Sequence, residues 1–232
     1  MTRQGESGED RFTAPGYERV EPRATYAPWQ ADEAFHTVNS VTREQTLVDL
    51  YRSYELWQLV SEACKVPGDI LEVGVWRGGT GALIAARTAA LDSDRHVYLA
   101  DTFQGVVKAG PKDQYYRGGE HANASRDDVE SLVARLGLNN VTVLTGVFPD
   151  DTASSVNSQC ISLCHIDVDV YQGAKEVTEW VWPRLSAGGI VVYDDYGFYG
   201  CEGVTAYVNE VSDQSDRVCV RNLNGHAIFI KT

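Results

Sequence analysis

From Pro67-Gly68 onward, short β-rich apolar runs alternate with longer helix-compatible stretches, and this alternation constrains the fold more than any other feature. The runs are 69–74 (DILEVG), 96–101 (HVYLAD), 141–146 (VTVLTG), 160–167 (CISLCHID) and 188–194 (GGIVVYD). Helices fit between them at 80–91, at 125–137 with Ser125 as N-cap, and at 173–186. Strands recurring with intervening helices mean βαβ units, right-handed crossovers and a parallel sheet. Two further strands are expected near 217–222 and 226–231, joined by the hairpin signal Asn224-Gly225. One of them must run antiparallel. The expected fold is α/β: a doubly wound, Rossmann-like, seven-stranded, mostly parallel sheet with one antiparallel C-terminal strand.

Upstream, residues 42–66 carry Leu47, Leu50, Tyr51, Tyr54, Trp57, Val60 and Cys64 at helical spacing. They predict an N-terminal helical cap over 31–66, so that 31–232 forms a single domain. Residues 1–30 are polar, with Pro15, Pro22 and Pro28, and read as a flexible segment until the aromatic cluster Tyr26, Trp29, Phe35.

Composition narrows the partners. A net charge of −13 disfavours nucleic acid and anionic membrane surfaces. Five cysteines without CxxC or zinc-like spacing read as free thiols of a reducing compartment. No apolar stretch approaches the roughly 18 residues of a membrane span, and the first residues carry no signal-peptide core. A cytoplasmic protein acting on a small molecule is expected.

In doubly wound sheets ligands gather outside the carboxyl ends of the strands. The first strand ends in Glu72 and Gly74, then Gly78-Gly79-Thr80 opens a helix. Such a turn admits a ligand close to a helix N-terminus, although its spacing is not the GxGxxG of dinucleotide sites. Asp101 ends the second strand and suits the hydroxyls of a nucleoside ribose; the alternative is an N-cap. Phe148, after the third strand, suits an adenine ring or the core.

The fourth and fifth strands end in acids: Asp167 and Asp169, Asp194 and Asp195. The crossover makes these strands neighbours, so the carboxylates converge at one sheet edge. Like charges this close repel and raise one another's pKa unless a cation sits among them. The all-oxygen donor set points to a hard ion: Mg²⁺, Mn²⁺ or Ca²⁺. Capped turns and a carboxylate-pair glycosidase are the competing readings, and the latter leaves the glycine turn and Asp101 unexplained. His165 is read as a core histidine ahead of a catalytic one. The loop at 103–124, with His121, reads as a lid or substrate wall, and Tyr196, Phe198 and Tyr199 as lining of the same pocket.

The segments ILEVGVWRGGTG, ADTFQG, GVFPDDT, HIDVDVY and PRLSAGGIVVYDDYG together resemble, in order, the macrocin O-methyltransferase family over about residues 40–210. These are class I S-adenosylmethionine-dependent enzymes that methylate sugar hydroxyls in antibiotic tailoring. The resemblance implies Glu72, Gly74, Gly78, Gly79 and Thr80 around the donor's methionine part. It implies Asp101, with Thr102 beside it, at the ribose and Gly146 to Phe148 at the adenine. Asp167, Asp194 and Asp195 would hold Mg²⁺, Asp169 would be the general base, and the protein would be a homo-oligomer. The acceptor would be a sugar diol on a glycosylated product or a sugar precursor. The alternatives are a catechol-type phenol, hydroxylase or hydrolase chemistry on the same fold, and a non-catalytic nucleoside binder. The chain departs from the family in its N-terminal region and its 104–124 loop, and both bear on the acceptor.

Overall fold

A computed structural model describes residues 15–21, 23–92 and 94–232. The flexible segment expected at 1–30 therefore lies partly outside the described residues, at 1–14 and Pro22.

Two helices form the N-terminal cap, α1 (Glu33–Thr42) and α2 (Leu50–Ala63). The helical pattern expected through 42–66 is interrupted because Asp49 starts a new helix. Its carboxylate accepts the N–H groups of Tyr51 at 2.9 Å and Arg52 at 3.2 Å. Asp32 caps α1, accepting the Phe35 N–H at 2.9 Å, while its other oxygen takes the Trp57 indole N–H at 3.1 Å. One residue thus caps the first helix and ties it to the second.

The strands are β1 (Asp69–Val73), β2 (Val97–Asp101), β3 (Val141–Thr145), β4 (Ile161–Ile166), β5 (Leu185–Tyr193), β6 (Arg217–Arg221) and β7 (Ala227–Lys231). They form one sheet in the order β3-β2-β1-β4-β5-β7-β6, with β7 antiparallel to both neighbours. The crossovers are α3 (Gly79–Leu91), α4 (Arg126–Arg135) and α5 (Tyr171–Val181). At α4, Ser125 and Asp128 form a capping box. The helix expected to reach 186 stops at Val181. Pro183 sits in a short 3₁₀ turn, and Leu185 already pairs with Ile161 in the sheet. A further helix, α6 (Glu202–Val211), has no counterpart among the expected elements; Val204, Tyr207 and Val208 bury its inner face.

Alternate strand residues fill opposite layers. Ile70, Leu99, Leu163 and Val192 pack against Leu56, Trp57 and Val60 of α2 and Leu83 and Ile84 of α3. Leu71, Cys164, Val191 and Tyr193 pack against α5 and α6. Each fully buried Leu or Ile contributes about 1.5–3 kcal/mol. All five cysteines are free thiols. Among the described residues no helix is long and apolar enough to cross a membrane.

The chain leaves β1 toward β2 and β3, then returns to β4 on β1's other side. Ladder bonds continue one residue past the strands: Asp167 N–H to Val73 O at 2.9 Å, and Asp194 N–H to Ile166 O at 3.0 Å. Both aspartates therefore stand at one level on the carboxyl edge, beside the topological switch point.

Candidate active site

At the switch point the β1 turn passes β4 almost in contact. Gly74 has φ of +90°, and a Cβ there would lie 1.7 Å from the Asp167 carbonyl oxygen. This glycine is required by backbone packing. Gly79 likewise faces the Gln45 backbone, and Gly78, at φ +86°, is the N-cap of α3. Thr80 is buried in the first turn of that helix.

Asp101 organises the turn. One carboxylate oxygen accepts the N–H groups of Val75 and Trp76, both at 2.7 Å; the other accepts that of Phe103 at 2.7 Å. A carboxylate has about four acceptor positions, so three bonds leave one for a ligand hydroxyl. Trp76 and Phe103, at φ of +49° and +52°, and Asp169, at +65°, place non-glycine residues in the left-handed region at three neighbouring strand ends. Such strain concentrates at functional sites. The Thr102 hydroxyl accepts from Gln104 N–H and donates to Gly105 O, closing a local turn. Gly146 continues the ladder through its N–H to Asp101 O at 2.9 Å.

Two of the residues that the resemblance places around the donor are buried. Phe148 is 5% exposed and packs edge-on against Trp180, with ring centroids 4.9 Å apart. It is a core residue, the second of the two positions open to it. Glu72 is fully buried beneath the turn, where Oε1 accepts from His165 Nδ1 at 2.8 Å. Its Oε2 has no hydrogen-bond partner and faces Gly81 of α3.

The acids converge as expected. Asp167, Asp194 and Asp195 each offer an oxygen, all within 4.8 Å of one another. At that distance two ionised carboxylates repel by about 3.5 kcal/mol at an effective dielectric of about 20. Burial, and then the neighbouring carboxylates, push Asp167 and Asp195 well above the usual range. Asp195 Oδ2 accepts the Asp169 N–H at 2.7 Å, and the buried Cys201 thiol donates toward Asp195 at 3.5 Å and Asp169 at 3.7 Å. Asp167 and Asp195 have no cationic side chain hydrogen-bonded to their carboxylates among the described residues, and such oxygen donors fit a hard divalent cation.

Asp194 differs from its neighbours because the protein supplies its counter-charges. Arg52 of α2 donates to Oδ2 and, at 3.2 Å, to the Asp194 carbonyl. Oδ1 accepts from His226 Nε2 at 2.9 Å and His165 Nε2 at 3.4 Å. Burial alone would raise this carboxyl; Arg52 and the two imidazoles outweigh it and hold Asp194 well below the usual range. Burial pulls His165 down, but its bonds to Asp194 and Glu72 win and raise it to about 9. His165 is thus a buried histidine that links Glu72 to the acid cluster. Arg52, His226, Glu55 and Cys201 belong to the site without having been singled out as functional from the sequence.

The 102–124 loop covers this edge. Asn123 accepts the Trp76 indole N–H at 2.9 Å, and its carbonyl accepts from Arg77. Asp113, 4% exposed, accepts the N–H groups of Tyr171 at 2.9 Å and Gly110 at 2.8 Å. Tyr116 packs with Val170 and Cys201 and lies 3.4 Å from His121 Nε2. Of the aromatics expected in the pocket, Phe198 lies beneath the Arg52 guanidinium, 4.5 Å away, and Tyr199 meets Tyr17 edge-on. Tyr196 instead bonds Asn209 of α6.

Known proteins are similar to this chain in sequence and in fold. The model of the macrocin-O-methyltransferase (TylF) family matches residues 33–220. The 8-demethyl-8-(2,3-dimethoxy-alpha-L-rhamnosyl)-tetracenomycin-C 4'-O-methyltransferase of Streptomyces olivaceus is 34% identical over 168 residues, covering 67% of this chain and 64% of that protein. This chain therefore spans just under two thirds of that relative's length. The mycinamicin III 3''-O-methyltransferase of Micromonospora griseorubida is 33% identical over 181 residues, 72% of this chain and 71% of the relative. The solved structure of the O-methyltransferase NovP superposes with a TM-score of 0.70 at 26% identity, covering 81% of this chain and 82% of that one. The family match runs from α1 into β6 and encloses the glycine turn and all four strand-end aspartates. This chain belongs to the macrocin O-methyltransferase family.

Proposed function

We propose that the protein transfers a methyl group from S-adenosylmethionine to a hydroxyl of a sugar diol on a glycosylated natural product or sugar precursor, assisted by Mg²⁺. The observation that carries this reading is the meeting of two half-sites at one switch point. The glycine turn and Asp101 lie on one side, and Asp167, Asp169, Asp194 and Asp195 on the other. The rhamnosyl acceptor named for the Streptomyces olivaceus relative supports the sugar.

Asp101 receives a ribose hydroxyl at its remaining acceptor position, and the backbone at Gly146 and Val147 borders the adenine. Asp167, Asp194 and Asp195 hold the Mg²⁺, which when bound supplies Lewis acidity to the acceptor diol. In the transfer a C–O bond forms as the C–S⁺ bond breaks, leaving a neutral thioether. The proton lost from the hydroxyl goes to the Asp169 carboxylate. Asp169 is held for this role by its N–H bond to Asp195 and by its left-handed backbone. The 102–124 wall limits water at the sulfonium.

The test is transfer of a labelled methyl group from the donor to a panel of rhamnosides and catechols, with Mg²⁺ or with chelator. Transfer to a rhamnoside diol that chelator removes and Mg²⁺ restores is the expected result. Transfer undiminished by chelator would overturn the metal role, and transfer to catechols alone would overturn the sugar.

A further inference from the structure

The terminal hairpin and the cap helix meet behind Asp194, and neither is used by the reaction as described. In the β5–β7 pairing Tyr193 lies opposite Ala227, so the next position sets His226 opposite Asp194. His226 is fully buried, and both its ring N–H groups are engaged: Nε2 donates to Asp194 Oδ1 at 2.9 Å and Nδ1 to Glu55 Oε2 at 2.5 Å. The same Glu55 oxygen accepts from Asn222 Nδ2 at 2.6 Å. The Asn222 side-chain oxygen Oδ1 accepts the N–H groups of Asn224 at 2.8 Å and His226 at 3.1 Å. The hairpin turn is thereby fastened to α2 at Glu55.

The turn also supports the other cation on Asp194. Gly225, at φ +102°, leaves no room for a Cβ, which would lie 2.1 Å from the Phe198 ring, and that ring carries the Arg52 guanidinium. Arg52 and Glu55 stand three residues apart on α2, on one face of the helix. The two oxygens of Asp194 are therefore addressed by His226 and Arg52, and both of these rest on the same junction of turn and helix.

We infer that His226, oriented by Glu55, is a positioning residue that fixes how Asp194 presents its carboxylate to the acid cluster. The inference rests on the metal-assisted reading above. Ligating carboxylates are themselves oriented by outer hydrogen bonds, whose loss typically weakens metal binding about 10- to 100-fold. Glu55 makes no described hydrogen bond or ion pair with Asp167, Asp169 or Asp195, and its side chain is 28% exposed, so it can be changed without touching the acids.

The experiment uses Mn²⁺ as the probe, with free ion counted by electron paramagnetic resonance, on the full-length protein and on Glu55→Gln, His226→Gln and the double variant. Each single variant is expected to bind Mn²⁺ about tenfold more weakly. The double variant should be no weaker than His226→Gln, because the two residues act in series. S-adenosylmethionine affinity should stay within about twofold, and kcat should fall while the donor KM holds. Glu55→Gln decides the matter if His226→Gln does not fold. Wild-type Mn²⁺ affinity in Glu55→Gln, or a double variant whose losses add, would overturn the inference alone. Absence of Mn²⁺ binding by the unaltered protein would overturn the metal reading itself, and the inference with it.

Discussion

Replacing Asp195 with asparagine is expected to slow methyl transfer about a thousandfold while making the metal-free protein more stable. Asp195 is 5% exposed and stands among Asp167, Asp169 and Asp194. The amide keeps a carbonyl oxygen for the Asp169 N–H and turns an N–H₂ group toward the remaining carboxylates. Relief of the repulsion among the buried carboxylates should stabilise the metal-free fold. Its Tm in chelator should therefore rise, by about 2–4 °C for each kcal/mol gained in a domain of this size. Turnover should fall about a thousandfold, or about 4 kcal/mol in the barrier, because the cation loses a ligand and Asp169 loses its charged neighbour. Mg²⁺ should raise the Tm of the unaltered protein and leave that of the variant unchanged. Melting curves with Mg²⁺ and with chelator, together with initial rates, separate these effects. A variant less stable than wild type in chelator would show that the four carboxylates do not repel in the folded state.

Arg52→Met should act in the opposite direction. Its guanidinium bridges two acids, donating from Nε to Asp49 at 2.8 Å and from Nη1 to Asp194, and stacks on Phe198. The side chain is only 8% exposed. Methionine fills the space but leaves Asp194 buried without its strongest partner. Breaking a buried pair in this way costs about 3–5 kcal/mol, a large share of the stability of about 5–15 kcal/mol typical of a domain. The Tm should fall by about 10 °C. Arg52→Lys should recover only part of this, since a single ammonium cannot reach Asp49 and Asp194 with the geometry of the planar fork. Adding Asp194→Asn to Arg52→Met should restore stability, because the orphaned charge is then gone. Denaturation midpoints for the wild type, Arg52→Met, Asp194→Asn and the double variant close the cycle. A loss below about 1 kcal/mol in Arg52→Met would mean that water reaches this pair as it reaches a surface ion pair.

The sheet and its acidic edge were legible because the information is local. Asp167 and Asp169 follow a short apolar run, Asp194 and Asp195 follow another, and a single crossover helix between them makes the strands neighbours. The glycine turn was legible as a turn. Its cause was not: Gly74 answers to the carbonyl of Asp167, 93 residues later. Phe148 sat between core and ligand because a single aromatic after a strand carries no face preference. α6 hid behind an aromatic loop, with only Val204, Tyr207 and Val208 marking its buried side.

The partners of Asp194 were the hardest to see. Arg52 lies 142 positions away on a helix legible only by its apolar spacing, and His226 falls at the start of an expected strand. Their role depends on the register of β7 against β5 and on how α2 crosses the sheet edge, both set by tertiary packing. The same holds for Glu72, whose burial beneath the turn follows from pairing with His165 across the β1–β4 register.

The most direct measurement is calorimetric titration of the dialysed protein with S-adenosylmethionine, with S-adenosylhomocysteine and NAD for comparison. Micromolar binding of the two sulfur nucleosides, about −8 kcal/mol, with no binding of NAD is the predicted result. Binding of NAD, or of none of the three, would contradict a methyl-donor site at the glycine turn and Asp101.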